Sequence, residues 1–450
     1  KSVDNRYSFR IDHQISANDR ANFRYTYVPV TGTRFNFLGF ASPANPIAQD
    51  DNKSRNFIFS ETHIFGGTKV NEFRASYTRG TQFRGPNELA LSKDWGAELG
   101  LLPATLGVGY PAIGGLPAPN GIGSGGGTGL VLDTNLGFAD DFSMLKGRHA
   151  LKFGADVRFF QANRLDATGA FGGSYTFSGF TNGPATPGVA GPSVGGSNVA
   201  SFILGIMSNV TVRRVQIPFY YRWKYYAGYF QDDFKVRPNL TLNLGVRYDV
   251  ETPRVEKYNR QGSFNPNVTG TLNGRPVTGG FVFAGENGRP RGLWGTNFKG
   301  VQPRFGFAWT PKDFMTVRGS YSILRPGLTG LGNFIIPDLG VPNTTIGGVN
   351  GGVNAGIVNY ITNPVGPIPA PAAQSGGPLF TANFAVPYID PSDTFPYVQQ
   401  WSLALQFKLT RSTVLETSYN GSRGTHLFGV QRDINLPSYD TLMQKVREGA

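Results

Sequence analysis

An alternation of apolar and polar residues with a period of two recurs along the chain. In the segment LTLNLGVRYDV, from Leu240 to Val250, every second residue is apolar or aromatic, and the residues between are polar, charged or glycine. Residues 401–410 and 150–159 repeat this pattern. Successive side chains of a β-strand point to opposite faces, so each segment predicts a strand with one apolar and one polar face. The period does not fit a protein built mainly from helices.

The alternating segments come in pairs that are joined by short polar turns. The six turns are SANDR (Ser16–Arg20), GGTK (Gly66–Lys69), KGRH (Lys146–His149), VRPN (Val236–Asn239), TPKD (Thr310–Asp313) and LTRS (Leu409–Ser412). Longer connections rich in Gly and Pro separate the pairs, at about residues 29–52, 81–131, 164–221, 253–301 and 325–395. Six hairpins predict twelve strands. Short turns at one end and long loops at the other are typical of transmembrane β-barrels.

Composition excludes several other classes of protein. The chain has 450 residues, and 13% of them are aromatic, which argues against disorder. It contains no Cys, so disulfides and Cys-metal sites are excluded. The apolar run from Val199 to Met207 is far shorter than the ~20 residues of a membrane helix. No signal peptide follows Lys1, so we expect a fragment or a processed chain.

These observations predict an all-β fold, an antiparallel transmembrane β-barrel that is partial and has about twelve strands. A strand of about 9–11 residues crosses the hydrocarbon core when it is tilted. The aromatic cluster from Phe219 to Phe230 fits the aromatic girdle of such a barrel. A soluble β-sandwich would also alternate, but it would bury the apolar face against a second sheet.

The parity of a residue, that is, whether it stands at an odd or an even position of its strand, decides which face of the sheet its side chain occupies. In a barrel, one face contacts the lipid and the other lines the water-filled interior, the lumen. The predicted lipid-facing residues are Phe153, Val157, Leu242, Leu244, Leu403 and Leu405. The predicted lumen-facing polar residues are Lys152, Asp156, Arg158, Arg247, Asp249 and Arg318. Two interpretations of the polar set stay open. It forms a network of internal ion pairs and water, or it makes a positive lumen that attracts anionic solutes.

The other motifs do not support a cofactor site, a metal site or an enzyme. Gly121, Gly123 and Gly126 match G-x-G-x-x-G, but they lie in a long loop without the strand and helix that a dinucleotide site needs. Adjacent acids such as Asp140–Asp141 and Asp232–Asp233 point to opposite faces of a strand and cannot converge on one ion. The four His residues show no metal-ligand spacing. We therefore predict no cofactor, no metal and no catalytic residues.

The net charge is +13, from 42 Lys and Arg against 29 Asp and Glu. No run of basic residues beyond Arg213–Arg214 and no recognition module indicates nucleic-acid binding. Contact of a basic outer surface with outer-membrane lipid and lipopolysaccharide phosphates explains the charge more simply.

Three segments resemble a known family. YYAGYFQDDFKVRPNLTLNLGVRYDV, from Tyr225 to Val250, is similar to a barrel hairpin of TonB-dependent outer-membrane transporters. GRHALKFGADVRFF, Gly147–Phe160, resembles a barrel hairpin of the Oar-like branch of that family. SYNGSRGTHLF, Ser418–Phe428, followed by Asp433, Ile434 and Asn435, is similar to the same branch.

The resemblance implies an outer-membrane importer whose barrel of about 22 strands surrounds a plug. It also implies energy from the inner membrane, transmitted by TonB with ExbB and ExbD through an N-terminal region. No TonB box, plug or terminal aromatic strand is recognisable here. We therefore expect residues 1–450 to form a partial outer-membrane β-barrel domain, with the plug and N-terminal region not present. The transported solute is not predicted, and a passive porin or surface adhesin is the alternative.

Overall fold

The computed structural model of the chain describes residues 2–33, 48–86, 112–114, 129–165, 173–177, 198–203, 209–212, 218–272, 274–327, 344–346, 378, 380 and 395–427. The G-x-G-x-x-G match, most of the loops around residues 120–129 and 363–378, and the segment after Leu427 lie outside the described residues. The expectations for these segments are therefore not addressed by the fold.

The described residues are mostly β-strand. The strands are β1 (Ser2–Asp4), β2 (Tyr7–Gln14), β3 (Asp19–Thr33), β4 (Ala48–Ile64), β5 (Lys69–Pro86), β6 (Ala112–Gly114), β7 (Gly129–Lys146), β8 (His149–Leu165), β9 (Ser174–Thr176), β10 (Asn209–Val212), β11 (Phe219–Arg237), β12 (Leu240–Glu251), β13 (Val255–Glu256), β14 (Gly262–Leu272), β15 (Arg275–Phe283), β16 (Val301–Lys312), β17 (Met315–Leu324), β18 (Thr344–Ile346), β19 (Tyr397–Lys408) and β20 (Val414–Thr425). A 3₁₀ turn spans Gly66–Thr68, and helix α1 spans Asn198–Ile203. Within the described ranges, no helix has the length and apolar character that a membrane crossing requires.

One large antiparallel sheet dominates the structure. Its order is β1-β3-β4-β5-β7-β8-β11-β12-β16-β17-β19-β20, with β2 also paired to β3 and β13 to β11. The short strands β1 and β2 pair with successive parts of β3, so the sheet has twelve strand positions. Among the described strands, β20 pairs only with β19, and the sheet is open. The prediction of an antiparallel, partial barrel of about twelve strands is therefore confirmed.

The six short turns lie between sequential neighbours of this sheet. Gly147 occupies the left-handed region, with φ of +59°, in the two-residue turn between β7 and β8. The reversal predicted at Thr310–Asp313 lies instead between Lys312 and Met315. The ladder of β16 and β17 shifts register between Trp309 and Lys312. Strand β16 therefore extends to Lys312, beyond Trp309, the last apolar residue of its alternation.

The strands are longer than the expected crossing of about 9–11 residues. Strands β3, β4, β5, β7, β8 and β11 have 15 to 19 residues each. The extra residues lie at the strand ends that adjoin the long connections. The neighbouring strands are also long there, so each extra residue pairs with a residue of the next strand. In β4 and β5 these residues, at 49–54 and 79–84, are mostly polar on both faces, so the alternating sequence pattern of a crossing strand stops before the ladder does.

The apolar face of the large sheet is not covered by a second sheet of similar size among the described residues. The other sheets there have four strands (β18-β10-β9-β6) and two strands (β14-β15). Large apolar side chains such as Phe9, Phe153, Phe305 and Leu403 are between 42% and 56% exposed. The β-sandwich alternative, which needs this face to be a buried core, is therefore wrong.

The smaller sheets are built by the long connections. Strand β6 belongs to the connection after β5, β9 and β10 to the connection after β8, and β18 to the connection after β17. Three separate connections therefore share main-chain hydrogen bonds. The hairpin of β14 and β15 lies in a fourth connection, between β12 and β16.

Replacement of Gly147 by Ala should lower the free energy of unfolding by about 1–2 kcal/mol, because an L-residue is disfavoured in the left-handed region. A Cβ atom at Gly147 would meet nothing within 4 Å, so the loss isolates the backbone effect. Gly67→Ala is the matched control, since Gly67 also has open space but no positive φ. Urea unfolding of the two variants in detergent measures the difference. Equal stability of G147A and G67A would contradict the assignment of this turn.

Candidate functional site: the polar face of the sheet

The register of the large sheet gathers polar side chains from β8, β11 and β12 on one face. Asp156 and Arg158 of β8 lie directly opposite Ala227 and Tyr225 of β11. Tyr229 of β11 in turn lies opposite Arg247 of β12. Directly opposed residues of antiparallel strands point to the same side, so these side chains share the polar face.

Four of the six predicted polar residues form one ion-pair network. The guanidinium of Arg158 donates to both carboxylate oxygens of Asp156, with Nε–Oδ1 and Nη2–Oδ2 distances of 2.9 and 2.5 Å. The same Asp156 lies 3.9 Å from Arg247 Nη2. Arg247 also pairs with Asp249 at an Nε–Oδ1 distance of 2.8 Å. The sequence separates these residues by about ninety positions, and the pairing of β8 with β11 and of β11 with β12 brings them together.

The network is closed by residues that the sequence analysis did not assign to it. Arg247 Nη2 donates to the Tyr225 hydroxyl at 2.8 Å, and Gln302 Nε2 donates to Asp249 Oδ2 at 2.5 Å. The Tyr229 hydroxyl donates to Asp141 Oδ1 at 2.6 Å. The alternation along β11 could have placed Tyr225 and Tyr229 on the polar face, because both stand at odd positions and Tyr226 and Phe230 stand at even positions.

The aromatic segment Phe219–Phe230 is thus divided between the two faces. Tyr225 and Tyr229 bond to the polar network, whereas Tyr226 and Phe230 lie opposite Val157 and Phe153 on the apolar face. Five of the eight aromatic residues in this segment have the parity of Tyr225 and Tyr229, so the interpretation as an aromatic girdle stays a prediction only for the three on the apolar face. Alternation assigns successive aromatic residues to opposite sides whatever their chemistry.

The charges of the network compensate each other in a partly desolvated place. The side chains of Asp156 and Asp249 are 16% and 15% exposed, and that of Arg247 is 24% exposed. Two arginines thus face two aspartates, which favours the interpretation of an internal ion-pair network at this point over a positive surface. Removing one partner would leave a carboxylate with little solvent, and such a change is costly.

A cavity of about 430 Å³ adjoins the network. Arg74, Asp141, Asp156, Tyr229 and Arg247 are among its lining residues. A pocket of this size on a polar face can hold water or the polar groups of another segment, and its mixed charges favour neither cations nor anions.

Lys152 and Arg318 do not join the network. Lys152 is exposed and lies opposite Ser143 and Gln231, and it forms no ion pair with a described residue. Arg318 lines a second cavity of about 530 Å³ together with Arg304. Neither of these arginines has an acidic partner within 4 Å in the part of the chain that the structure describes. The predicted polar set therefore divides into a compensated centre and isolated cations.

The six predicted lipid-facing residues lie on the opposite face of the sheet. Phe153, Leu244 and Leu403 are 42%, 40% and 47% exposed. The other three, Val157, Leu242 and Leu405, are half-buried among their neighbours. Their contact with lipid stays a prediction.

One group on the apolar face has the composition of a metal site. Asp19, Glu61 and His63, next to the turns that precede β3 and β5, offer ligand atoms that all lie within 4.8 Å of one another. His63 Nδ1 is already hydrogen-bonded to Asp19 Oδ1, and Ser16 also bonds to that carboxylate. These bonds account for the group without an ion, and the absence of a metal site stays a prediction.

The family of the chain follows from comparison with known proteins. The family model described as the outer membrane beta barrel domain matches residues 1–448. The chain belongs to this family. Its place is therefore the outer membrane, as predicted. No curated protein sequence matches the chain.

Solved structures of outer-membrane proteins are similar to the chain, and one of them has a TM-score above 0.5. The outer membrane transporter YddB from Escherichia coli is 13% identical, with a TM-score of 0.51 over 93% of this chain and 40% of that one. The FrpB iron transporter from Neisseria meningitidis is 12% identical, with a TM-score of 0.42 over 93% and 45% of the two chains. The siderophore receptor PirA from Acinetobacter baumannii is 9% identical, with a TM-score of 0.43 over 94% and 43%.

The chain thus spans less than half the length of these solved structures. The predicted resemblance is confirmed at the level of the outer-membrane β-barrel family and its fold, and the Oar-like branch stays a prediction. That the chain is not an enzyme also stays a prediction.

Replacement of Arg247 by Met should lower the free energy of unfolding by about 2 kcal/mol or more, because Asp249 and Asp156 lose their charged partner. Lys152→Met removes the same charge from β8, at a position that forms no ion pair with a described residue, and it should change stability by less than about 0.5 kcal/mol. Chemical unfolding in detergent, followed by tryptophan fluorescence, measures both. If the two variants lost the same stability, the network would not be the structural centre of this face.

Proposed function

We propose that the chain forms part of the barrel wall of an active outer-membrane transporter, which imports a solute with energy transmitted from the inner membrane. The observation that carries the proposal is the open sheet of twelve strand positions, with short turns at one end and long connections at the other. An open edge in hydrocarbon would leave main-chain N–H and C=O groups unpaired, so more strands must complete the wall. The first solved neighbour, a transporter, is more than twice as long as the matched part.

The polar face supports a lumen that is filled rather than empty. Its centre is a compensated ion-pair network that adjoins one cavity, and a second cavity is lined by the isolated Arg304 and Arg318. In this proposal a plug covers this face, and TonB with ExbB and ExbD acts through the N-terminal region that carries the plug. The short turns face the periplasm, and the long connections face the outside of the cell, as is general for outer-membrane barrels.

The outer end of the apolar face supports contact with lipopolysaccharide. Arg55 of β4 and Arg79 of β5 lie directly opposite each other in the register and share the face of Phe57 and Tyr77. Like charges in this arrangement repel each other, and neither arginine has an acidic partner among the described residues. A lipid phosphate placed between the two guanidinium groups would remove the repulsion. We therefore propose outer-membrane lipid and lipopolysaccharide as partners of this surface.

A passive porin or a surface adhesin is the alternative function. Such a barrel needs neither a plug nor an energy-transmitting partner. Three connections that share a small sheet at one end of the strands would suit an adhesin as well as a transporter. The two functions differ in how solutes cross the membrane.

Transport is tested with the full-length gene product. In planar bilayers we expect no steady open conductance, because a plug fills the lumen, whereas a porin would conduct steadily. In cells limited for single nutrients, growth should depend on the gene and be lost when TonB is deleted. Growth support that persists without TonB would contradict active transport and favour the passive barrel.

Replacement of Leu403 by Arg should hinder insertion into lipid vesicles and lower stability by about 2–4 kcal/mol, the cost of a cation on the lipid face near the membrane centre. Ser402→Arg is the matched control, because Ser402 points to the polar face, where its hydroxyl lies 2.7 Å from that of Ser320. This control should cost less than about 1 kcal/mol. Equal losses in both variants would show that Leu403 does not face lipid.

A further inference from the structure

The polar face of the sheet is recessed between β12 and β19. The second cavity, of about 530 Å³, lies there and is lined by adjacent strands from β11 to β19. Most of its lining residues have the polar-face parity, and many of these are small: Gly245, Gly306, Ala308, Ser320, Ser402 and Ala404. The register places Gly306 directly opposite Ser320, and Ser320 directly opposite Ser402. Small side chains at neighbouring positions explain the recess.

Two arginines stand at the two ends of the recess. Arg304 and Arg318 both line the cavity, and both are exposed. Arg304 lies opposite Ser322, and Arg318 precedes Ser322 by four residues on β17, so the two arginines are about 13 Å apart along the strands. Arg304 is the nearer of the two to the long connections, and Arg318 is the nearer to the short turns. A partner that fills the recess therefore meets one cation at each end.

The acidic residues on this part of the polar face do not reach the two arginines. Asn243, which lines the cavity, donates to Asp233 Oδ1 at 2.7 Å, and Gln231 donates to the same atom at 3.4 Å. Asp233 itself does not line the cavity. Glu416 of β20 has the polar-face parity, but β19 separates it from Arg318. Among the described residues, the wall thus supplies neither arginine with a carboxylate.

The two halves of the polar face therefore place different demands on a segment that covers them. In the network of β8, β11 and β12, two aspartates already compensate two arginines, so a neutral segment can cover that half. A segment that covers the recess removes Arg304 and Arg318 from water. Burial of a cation without a partner is costly, whereas a hydrogen-bonded carboxylate offsets much of that cost.

We propose that the plug fills the recess with a projecting segment that carries acidic side chains, one for Arg304 and one for Arg318. The small floor leaves room for the main chain of this segment. The hydroxyl groups of Ser320 and Ser402, which lie 2.7 Å apart, can hydrogen-bond to that main chain. The inference rests on the proposed function, because it presupposes a plug, and it adds the chemistry of the plug surface that meets β16 and β17.

Contact is tested in the full-length gene product with a carbodiimide, which joins an amine to a carboxylate in contact with it as an amide, with loss of water. Arg304→Lys and Arg318→Lys keep the positive charge and supply the amine. We expect each variant to yield a peptide that is cross-linked from the substituted position to an Asp or Glu of the plug, identified by mass spectrometry. Arg423→Lys is the matched control. Arg423 is exposed on β20, but it shares the face of Gly421 and Trp401, opposite to the recess, so R423K should yield no such peptide.

Charge reversal gives a second readout. Arg304→Glu combined with Arg318→Glu places acid against acid, so it should displace the plug and produce steady conductance in planar bilayers, where the unmodified full-length product shows none. Arg423→Glu should leave the conductance unchanged. Unchanged heat-modifiability on electrophoresis shows that each variant is folded.

The inference is overturned if folded R304K and R318K form no cross-link, or cross-link only to acids of the wall such as Asp233 and Glu416. It is also overturned if the doubly reversed variant stays closed. Steady conductance of the unmodified product would instead contradict the proposed function itself, so the two failures are distinguishable.

Discussion

Every main-chain N–H and C=O group in the hydrocarbon of a bilayer needs a partner within the protein. A β-sheet provides these partners between strands, and it leaves the side chains of each strand divided strictly between two faces. The period of two along this chain is the direct consequence. In the proposed barrel wall, the apolar residues occupy one parity because lipid would surround that face, and the charged residues of the network occupy the other parity because they would lie in the lumen. The same requirement applies to β2 and β20, the edges of the described sheet, where further strands would have to pair.

The strict parity also decides which residues can cooperate. Asp156 and Arg247 are far apart in the chain, but β11 pairs with both of their strands and places them on one face at neighbouring positions. Asp140 and Asp141 show the opposite effect. Asp141 bonds to Tyr229 on the polar face, whereas Asp140 accepts a bond from Asn71 on the other face. Adjacent acids in a strand therefore act separately, and distant residues act together.

Much of this arrangement follows from the sequence, because parity is a local property. The strands, the turns and the assignment of Asp156, Arg158, Arg247 and Asp249 to one face required only the alternation. The strand ends were not predictable in this way, since the outer parts of β4 and β5 continue the ladder with mostly polar residues on both faces. The partners within the face were not predictable either. Which residue meets Arg247 depends on the register between strands, and the turn of β16 and β17 shows that register can shift.

The connection between β12 and β16 does not follow the alternation of the large sheet. It contains a hairpin with an interrupted ladder and a loop whose positive-φ residues, such as Gly285 and Gly288, have no repeating pattern. A comparison of two arginines shows what the difference means. Arg247 lies on the regular sheet, and the register supplies it with two aspartates and a tyrosine hydroxyl. Arg289 lies in the irregular connection, where no described residue accepts from its Nη1 atom. The regular sheet supplies its cation with partners through the register, whereas the irregular connection has no register that would supply a partner for the Nη1 atom of Arg289.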